Sequence, residues 1–136
     1  MTVSTLPTLL LIDDEPALAA FVADAARLSG YEPSIATDDR AFRDAFVRHR
    51  PDMVAIDLGM PGMDGIELLR FLASEDYRAP VLIISGFDRR VLESAFRFGQ
   101  ELGLEMAGPL EKPTRLEDIE QLLVDLRPAT TPTPAP

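Results

Sequence analysis

Residues that can do chemistry come directly after several apolar runs of this sequence. Asp13 and Asp14 follow the first run, Asp57 the third and Ser85 the fourth, while Lys112 comes soon after the fifth. Carboxylates held close together repel one another, and a hard cation such as Mg²⁺ relieves that repulsion while keeping waters that a phosphate can displace. A lysine ammonium and a serine hydroxyl both suit a phosphoryl oxygen. If the runs are neighbouring parallel strands, these residues predict a site for phosphate chemistry assisted by a divalent cation.

Asp57 is the candidate nucleophile of this set. A carboxylate can attack phosphorus and form an aspartyl phosphate, which is a recognised covalent intermediate. The cation and the lysine would offset the charge on the equatorial phosphoryl oxygens during in-line transfer. The stretch DLGMPGMDG at 57–65 contains Gly59, Gly62 and Gly65. These glycines leave room for a phosphoryl donor and allow the backbone to turn tightly.

Apolar runs alternate with helical patterns along the chain. Strands are predicted at 8–12, 32–36, 53–56, 80–85 and 104–107. Helices are predicted at 15–29, from 38 or 39 to about 49, from 64 to at least 72, at 88–102, and from a cap at Thr114 to about 126. The alternation predicts βαβ units around a mainly parallel sheet, whose sites lie outside the carboxyl ends of the strands. Pro33 cannot donate a ladder hydrogen bond, so the second strand is expected at a sheet edge.

Composition restricts the possible functions. The chain has 136 residues, no cysteine and a net charge of −10, from 23 acidic and 13 basic residues. This charge repels phosphate backbones and disfavours nucleic-acid binding, and the longest apolar run is too short to span a bilayer. The N-terminus lacks a signal-peptide pattern, so a cytoplasmic location is expected. We expect an N-terminal tail at 1–6, one domain at 7–127 and a disordered Pro/Thr-rich tail at 128–136.

Four motifs, in this order, resemble those of a response regulator receiver domain. They are the acidic pair at 13–14, the stretch at 57–65, the serine at 85 after an apolar strand, and KP at 112–113. The resemblance spans about residues 7–127. It implies an α/β, flavodoxin-like (βα)5 three-layer sandwich with a parallel five-stranded sheet in the order 2-1-3-4-5. That order places the second strand at an edge, in agreement with its proline.

The resemblance implies a role for each acidic residue. Asp57 would accept a phosphoryl group from a phosphohistidine on a sensor histidine kinase or phosphotransfer protein. Mg²⁺ would be bound by Asp14, by Asp57 and by the backbone carbonyl of Gly59. Asp13 would contribute through a water molecule. The domain would catalyse only its own phosphorylation and a slow autodephosphorylation, and it is not expected to be a conventional enzyme.

The resemblance also implies how phosphorylation is sensed. Ser85 would be the switch hydroxyl, and Gly86 after it stands where the family often has alanine. Lys112 would contact a phosphoryl oxygen, and the peptide bond between Lys112 and Pro113 would be cis. The family usually has an aromatic residue three positions before this lysine. Here that position is Pro109, which leaves open how the switch operates.

The stretch at 96–108 is longer than the usual link into the fifth strand. In this respect the chain is similar to receivers linked to cyclic-dinucleotide phosphodiesterase modules. We expect a stand-alone receiver that signals to a downstream protein through the face of the fourth helix, fifth strand and fifth helix, with a homodimer as a further possibility. Candidate polar contacts on that face are Arg89, Arg90, Glu93, Arg97, Glu101 and Glu111.

Two other functions remain open on the sequence alone. Pro109 is compatible with a receiver fold that binds proteins without being phosphorylated. An aspartyl-phosphate phosphohydrolase, similar to the haloacid dehalogenase superfamily, is the other alternative. Those enzymes carry a second acid two residues after the nucleophile, and Gly59 stands at that position here.

Overall fold

Five strands alternate with five helices in the computed structural model, which describes residues 6–59, 64–86, 89–111 and 115–127. The strands are β1 (Thr8–Ile12), β2 (Glu32–Ala36), β3 (Met53–Asp57), β4 (Pro80–Ser85) and β5 (Glu105–Glu111). The helices are α1 (Pro16–Leu28), α2 (Asp39–Arg48), α3 (Gly65–Ser74), α4 (Arg89–Glu101) and α5 (Leu116–Leu126). Each neighbouring strand pair is parallel and the order is β2-β1-β3-β4-β5, which confirms the predicted fold.

The sheet carries an apolar core on each face. Every residue of β3 is buried, as expected for a central strand of a parallel sheet that helices cover on both sides. One core packs under α2, α3 and α4 and includes Phe42, Phe46, Leu68, Leu72 and Leu92. The other packs under α1 and α5 and includes Ala19, Val22, Ala26, Ile119 and Leu123. These two cores hold the strands in a fixed register, and this register fixes the positions of the strand ends relative to one another.

Strand β2 lies at the edge of the sheet, as its proline predicts. It pairs with β1 on one side, with Pro33 opposite Leu9. Within β2 only Ala36 is buried, whereas Ile35 is 44% exposed. A residue without an N–H costs little at an edge, because no ladder bond is lost on the solvent side.

Acidic residues begin two of the helices as predicted. The side chain of Asp38 accepts a hydrogen bond from a first-turn N–H of α2 at 2.7 Å, and that of Asp64 accepts one from α3 at 3.0 Å. Such caps satisfy backbone donors that a helix leaves unpaired at its start. In α5 the cap position falls on Arg115, whose side chain makes no cap hydrogen bond. The predicted cap, Thr114, lies outside the described residues.

Strand β5 is longer than the sequence predicts. The predicted strand ended at Ala107, and this prediction was wrong: the strand continues to Glu111. Ala107 pairs with Leu82 of β4, but the next pairing joins Leu110 to Ile84. Strand β5 therefore carries one extra residue over this interval, which is a β-bulge.

The bulge is formed by the two residues that normally interrupt a strand. Gly108 has φ +85°, and a Cβ placed on it would lie 2.9 Å from Leu82 Cδ1 and 3.1 Å from the backbone nitrogen of Leu110. Glycine alone meets both demands without strain. The Gly108–Pro109 peptide bond is cis. The bond expected to be cis, between residues 112 and 113, lies outside the described residues.

Candidate functional site

Three carboxylates meet at the carboxyl edge of the sheet. Asp13 and Asp14 follow β1, and Asp57 is the last residue of β3. Ile12 pairs with Ile56, so Asp13 and Asp57 are each the next residue after this pair. One carboxylate oxygen from each acid lies within 4.8 Å of the other two. Asp13 is only 2% exposed and Asp57 only 4%, whereas Asp14 is an exposed residue. The cluster is thus formed by two buried acids and one that opens to solvent.

Local hydrogen bonds orient the two buried carboxylates. Asp57 Oδ1 accepts from the backbone N–H of Gly59 at 2.9 Å, and Asp13 Oδ1 accepts from the backbone N–H of Glu15 at 2.9 Å. Aspartate commonly makes this contact to the backbone two residues ahead, where it fixes a turn. A carboxylate has about four acceptor positions, so this bond does not by itself prevent it from coordinating a cation.

The backbone beneath these acids is tied to the neighbouring strands. The N–H of Asp13 donates to the carbonyl of Ala36 in β2 at 3.0 Å. The N–H of Leu58 donates to the carbonyl of Ile84 in β4 at 2.9 Å. The ladder therefore extends one residue past β1 and β3, and it holds the acids in place at the edge.

The serine predicted for the site lies on the adjacent strand. Ser85 ends β4 and is 1% exposed, and the register places Ile84, the residue before it, beside Asp57. Gly86 follows it and is exposed. The remaining predicted member, Lys112, lies outside the described residues, although Glu111 immediately before it pairs with Ser85 across the sheet.

An ion pair that the sequence does not reveal joins β5 to α4 next to this edge. Arg89, the first residue of α4, approaches the carboxylate of Glu111, the last residue of β5, at 3.4 Å. The two residues are far apart in the sequence, so only the packing of α4 beside β5 brings them together. All six charged residues predicted for the α4–β5–α5 face are exposed, namely Arg89, Arg90, Glu93, Arg97, Glu101 and Glu111.

Pro109 lies on the same side of the sheet as α4. It lines a shallow groove of about 200 Å³ together with Glu93, Phe96, Arg97 and Gln100 of that helix. The position where receivers usually have an aromatic side chain is therefore a proline in the bulge of β5, facing α4.

The fold and the site together define a class of protein. An open parallel sheet in the order β2-β1-β3-β4-β5, with an acidic cluster at the carboxyl ends of β1 and β3, is the arrangement of a flavodoxin-like signalling domain. The family model described as the response regulator receiver domain matches residues 9–124. The chain belongs to this family.

Curated relatives agree with this assignment. The probable transcriptional regulatory protein TcrX of Mycobacterium tuberculosis is 40% identical over 81 residues, which are 60% of this chain and 35% of TcrX. The response regulator MprA of Mycolicibacterium vanbaalenii is 31% identical over 124 residues, which are 91% of this chain and 52% of MprA. The chain thus spans about half or less of these relatives.

Solved structures show the same fold. The receiver domain of Francisella response regulator 1452 superposes with a TM-score of 0.74 at 25% identity, covering 88% of this chain and 95% of that one. The response regulator TrrA of Thermotoga maritima, solved in complex with Mg²⁺ and beryllofluoride, superposes with a TM-score of 0.73 at 17% identity and covers 89% and 99% of the two chains. Among the described residues, no helix is long and apolar enough to span a membrane.

Proposed function

We propose that Asp57 is the phosphoryl acceptor of this receiver domain, and that the donor is a phosphohistidine on a sensor histidine kinase or phosphotransfer protein. The observation that supports this most strongly is the cluster of Asp13, Asp14 and Asp57, whose oxygens lie within 4.8 Å of one another. Three like charges at this spacing repel one another, and a cation with a phosphoryl group would compensate them. Asp57 is the one acid of the three that lies within a strand, where it pairs with Ile84 of β4.

In the proposed reaction, an oxygen of Asp57 attacks phosphorus in line with the bond to the histidine nitrogen. The phosphorus–nitrogen bond breaks as the phosphorus–oxygen bond forms, and its electron pair stays with the imidazole, which takes up a proton on leaving. The product is an acyl phosphate on Asp57. The hydrogen bond from the Gly59 N–H would keep the Asp57 carboxylate oriented toward the phosphorus during the transfer.

The residues present fit a magnesium ion. Mg²⁺ prefers oxygen ligands, uses one or two carboxylates and retains several waters. Asp14 and Asp57 would bind it directly with the Gly59 carbonyl, and Asp13 would act through water. The exposure of Asp14 leaves this side open to the solvent that supplies those waters. The ion would offset negative charge on the phosphoryl oxygens.

Ser85 and Lys112 would recognise the phosphoryl group. A serine hydroxyl rotates to suit an acceptor, and Ser85 is buried one strand away from Asp57. Gly86 would let the following backbone adjust as the hydroxyl moves. Lys112 would donate to a phosphoryl oxygen, as the resemblance implies. The resulting change would be read by a downstream protein, or by a second copy of this chain, on the α4–β5–α5 face.

The proposal is tested by treating the protein with acetyl phosphate and Mg²⁺ and measuring the intact mass. The wild type should gain one phosphoryl group, and Asp57→Asn should gain none. Asp64→Asn is the matched control, because this acid caps α3 at the other end of the same loop and asparagine also caps helices. A gain that persists in Asp57→Asn, or no gain in the wild type, would contradict the proposal.

A second function is favoured by one observation, namely the proline in the bulge of β5. Without an aromatic side chain at position 109, the domain could bind a partner through α4 and β5 with no dependence on phosphorylation. A partner that binds wild type and Asp57→Ala with equal affinity, with and without beryllofluoride, would support this alternative. A partner that binds only the beryllofluoride complex would exclude it.

A further inference from the structure

We propose that the Arg89–Glu111 ion pair is a latch that holds the start of α4 in its unphosphorylated position. The inference rests on the proposed function, since it describes how phosphorylation of Asp57 reaches α4. Arg89 Nη2 lies 3.4 Å from Glu111 Oε1. The latch joins the first residue of the helix to the last described residue of β5.

The latch connects the start of α4 back to the strand residue that pairs with Ser85. Ser85 pairs with Glu111 across the sheet, and Arg89 lies four residues beyond Ser85 in the chain. Ser85 is therefore connected to Glu111 in two ways. One connection is the strand pairing between them, and the other runs along the chain to Arg89 and through the ion pair. A movement of Ser85 toward Asp57 would shift one of these connections relative to the other. The ion pair is the weakest contact among them, so it would break first.

Position 109 of β5 offers no rotating side chain to carry the signal instead. The ring of Pro109 fixes its own side chain, so it cannot alternate between exposed and inward rotamers as an unconstrained aromatic residue can. Gly108 fits closely against Leu82, which holds the bulge in place. Because β5 is fixed at this point, the proposal places the movement at the start of α4.

The latch is weak enough to be released. The Arg89 side chain is 70% exposed and the Glu111 side chain is 46% exposed. Exposed ion pairs change an equilibrium by a factor of about five at most. A bias of this size can be overcome by the charge-assisted contacts of a phosphoryl group, yet it sets how much of the protein is active without one.

The test is a titration with Mg²⁺ and beryllofluoride, a mimic of the phosphoryl group, followed by calorimetry. Arg89→Gln and Glu111→Gln should each bind it about two- to five-fold more tightly than the wild type. The double variant should bind no more tightly than either single variant, because the latch can be lost only once. A change in net charge alone would move the two single variants in opposite directions, since one loses a positive and the other a negative charge.

Glu117→Gln is the matched control. Glu117 forms an exposed ion pair with Arg115 at 3.6 Å near the start of α5, so the substitution removes a similar pair and the same charge as Glu111→Gln. Its affinity for beryllofluoride should equal that of the wild type. In 1 M salt, where exposed charges are screened, the tighter binding of the two latch variants should disappear.

Hydrogen exchange in the unphosphorylated protein gives a second readout. Amides in the first turn of α4 should exchange faster in Arg89→Gln and Glu111→Gln, and at the wild-type rate in Glu117→Gln. Equal beryllofluoride affinity in wild type and both single variants, or opposite changes in the two, would overturn the latch while leaving the proposed function intact. A wild type that does not bind beryllofluoride would overturn the proposed function and the latch with it.

Discussion

Asp57 Oδ1 accepts a 2.9 Å hydrogen bond from the backbone N–H of Gly59, and Gly59 brings no side chain to the space beside that carboxylate. The N–H fixes the orientation of this carboxylate, which we propose as the phosphoryl acceptor. Hydrolysis of an acyl phosphate needs a water positioned for attack in line, and residue 59 has no polar group to orient one. The phosphorylated domain should therefore be long-lived.

Gly59→Asn should shorten the lifetime of the phosphorylated protein several-fold, because the side-chain amide can bind and orient a water near the phosphorus. The lifetime is measured from the decay of the phosphorylated mass after the donor is removed. Gly59→Ala is the control, since it adds bulk without a polar group. Equal lifetimes for the asparagine and alanine variants would contradict this role.

The acidic cluster should have opposite effects on stability with and without Mg²⁺. In a chelator, Asp13→Asn should raise the free energy of unfolding by about 1 kcal/mol, because it removes repulsion from the other two carboxylates while an amide oxygen can still accept the bond from Glu15. In millimolar Mg²⁺ the wild type should gain stability by ligand binding, and the variant should gain much less.

Thermal unfolding at several Mg²⁺ concentrations checks this prediction. Asp38→Asn is the control, since that residue caps α2 and should leave the Mg²⁺ response unchanged. Identical Mg²⁺ responses in Asp13→Asn and wild type would show that Asp13 does not contribute to binding of the ion.

Two buried tyrosines should make the protein sensitive to alkali. The Tyr31 hydroxyl donates to the Leu123 carbonyl at 2.7 Å, and the Tyr77 hydroxyl donates to the Pro51 carbonyl at 3.0 Å. Burial raises the pKa of Tyr31 to about 12, with a smaller opposing effect from Arg127, and burial raises the pKa of Tyr77 further. In the unfolded chain both ionise near pH 10.

As the pH rises, the tyrosines lose their protons in the unfolded state before they do so in the folded state. Their contribution to the free energy of unfolding is therefore fully present below pH 10, and it falls as the pH rises toward their pKa values in the folded protein. The slope should be roughly 1.4 kcal/mol per pH unit for each tyrosine. Urea unfolding between pH 9 and pH 12 measures it, and Tyr31→Phe should remove about half of the slope. The sequence has two tyrosines, one lysine and no cysteine, so few other groups titrate in this range. A slope that is unchanged in Tyr31→Phe would contradict the assignment.

The buried hydroxyl of Ser29 should slightly lower the stability of the fold. Its residue is 4% exposed, and its Oγ has no hydrogen-bond partner within the described part of the chain. Ser29→Ala should raise the free energy of unfolding by about 0.5–1 kcal/mol, because a buried unpaired hydroxyl is removed. The comparison is Ser74→Ala, which loses a 2.7 Å bond from Oγ to the Phe71 carbonyl and should not stabilise the protein. Chemical denaturation of both variants distinguishes them.

The sequence predicts well where β1, β3 and β4 end, because these ends depend on local patterns. A buried strand shows as an apolar run, and the first polar residue after it marks the edge of the sheet. Once the strands are taken as parallel, Asp13, Asp57 and Ser85 follow as neighbours. The edge position of β2 likewise follows from one proline.

Features that depend on contacts between distant segments could not be predicted in this way. Gly108 and Pro109 disfavour a regular strand, and they belong to β5 only because a bulge restores pairing between Leu110 and Ile84. The pairing of Arg89 with Glu111 requires the position of α4 beside β5. In both cases the local sequence gives the residue types, and the packing decides their partners.

Chemical mapping of the phosphoryl group identifies the acceptor residue directly. The protein is phosphorylated with acetyl phosphate and Mg²⁺, the acyl phosphate is reduced with borohydride, and peptide mass spectrometry identifies the residue converted to homoserine. We predict conversion at Asp57 and at no other acid of the cluster. Conversion at Asp13 or Asp14, or no conversion in a protein that remains folded, would contradict the assignment of Asp57 as the phosphoryl acceptor.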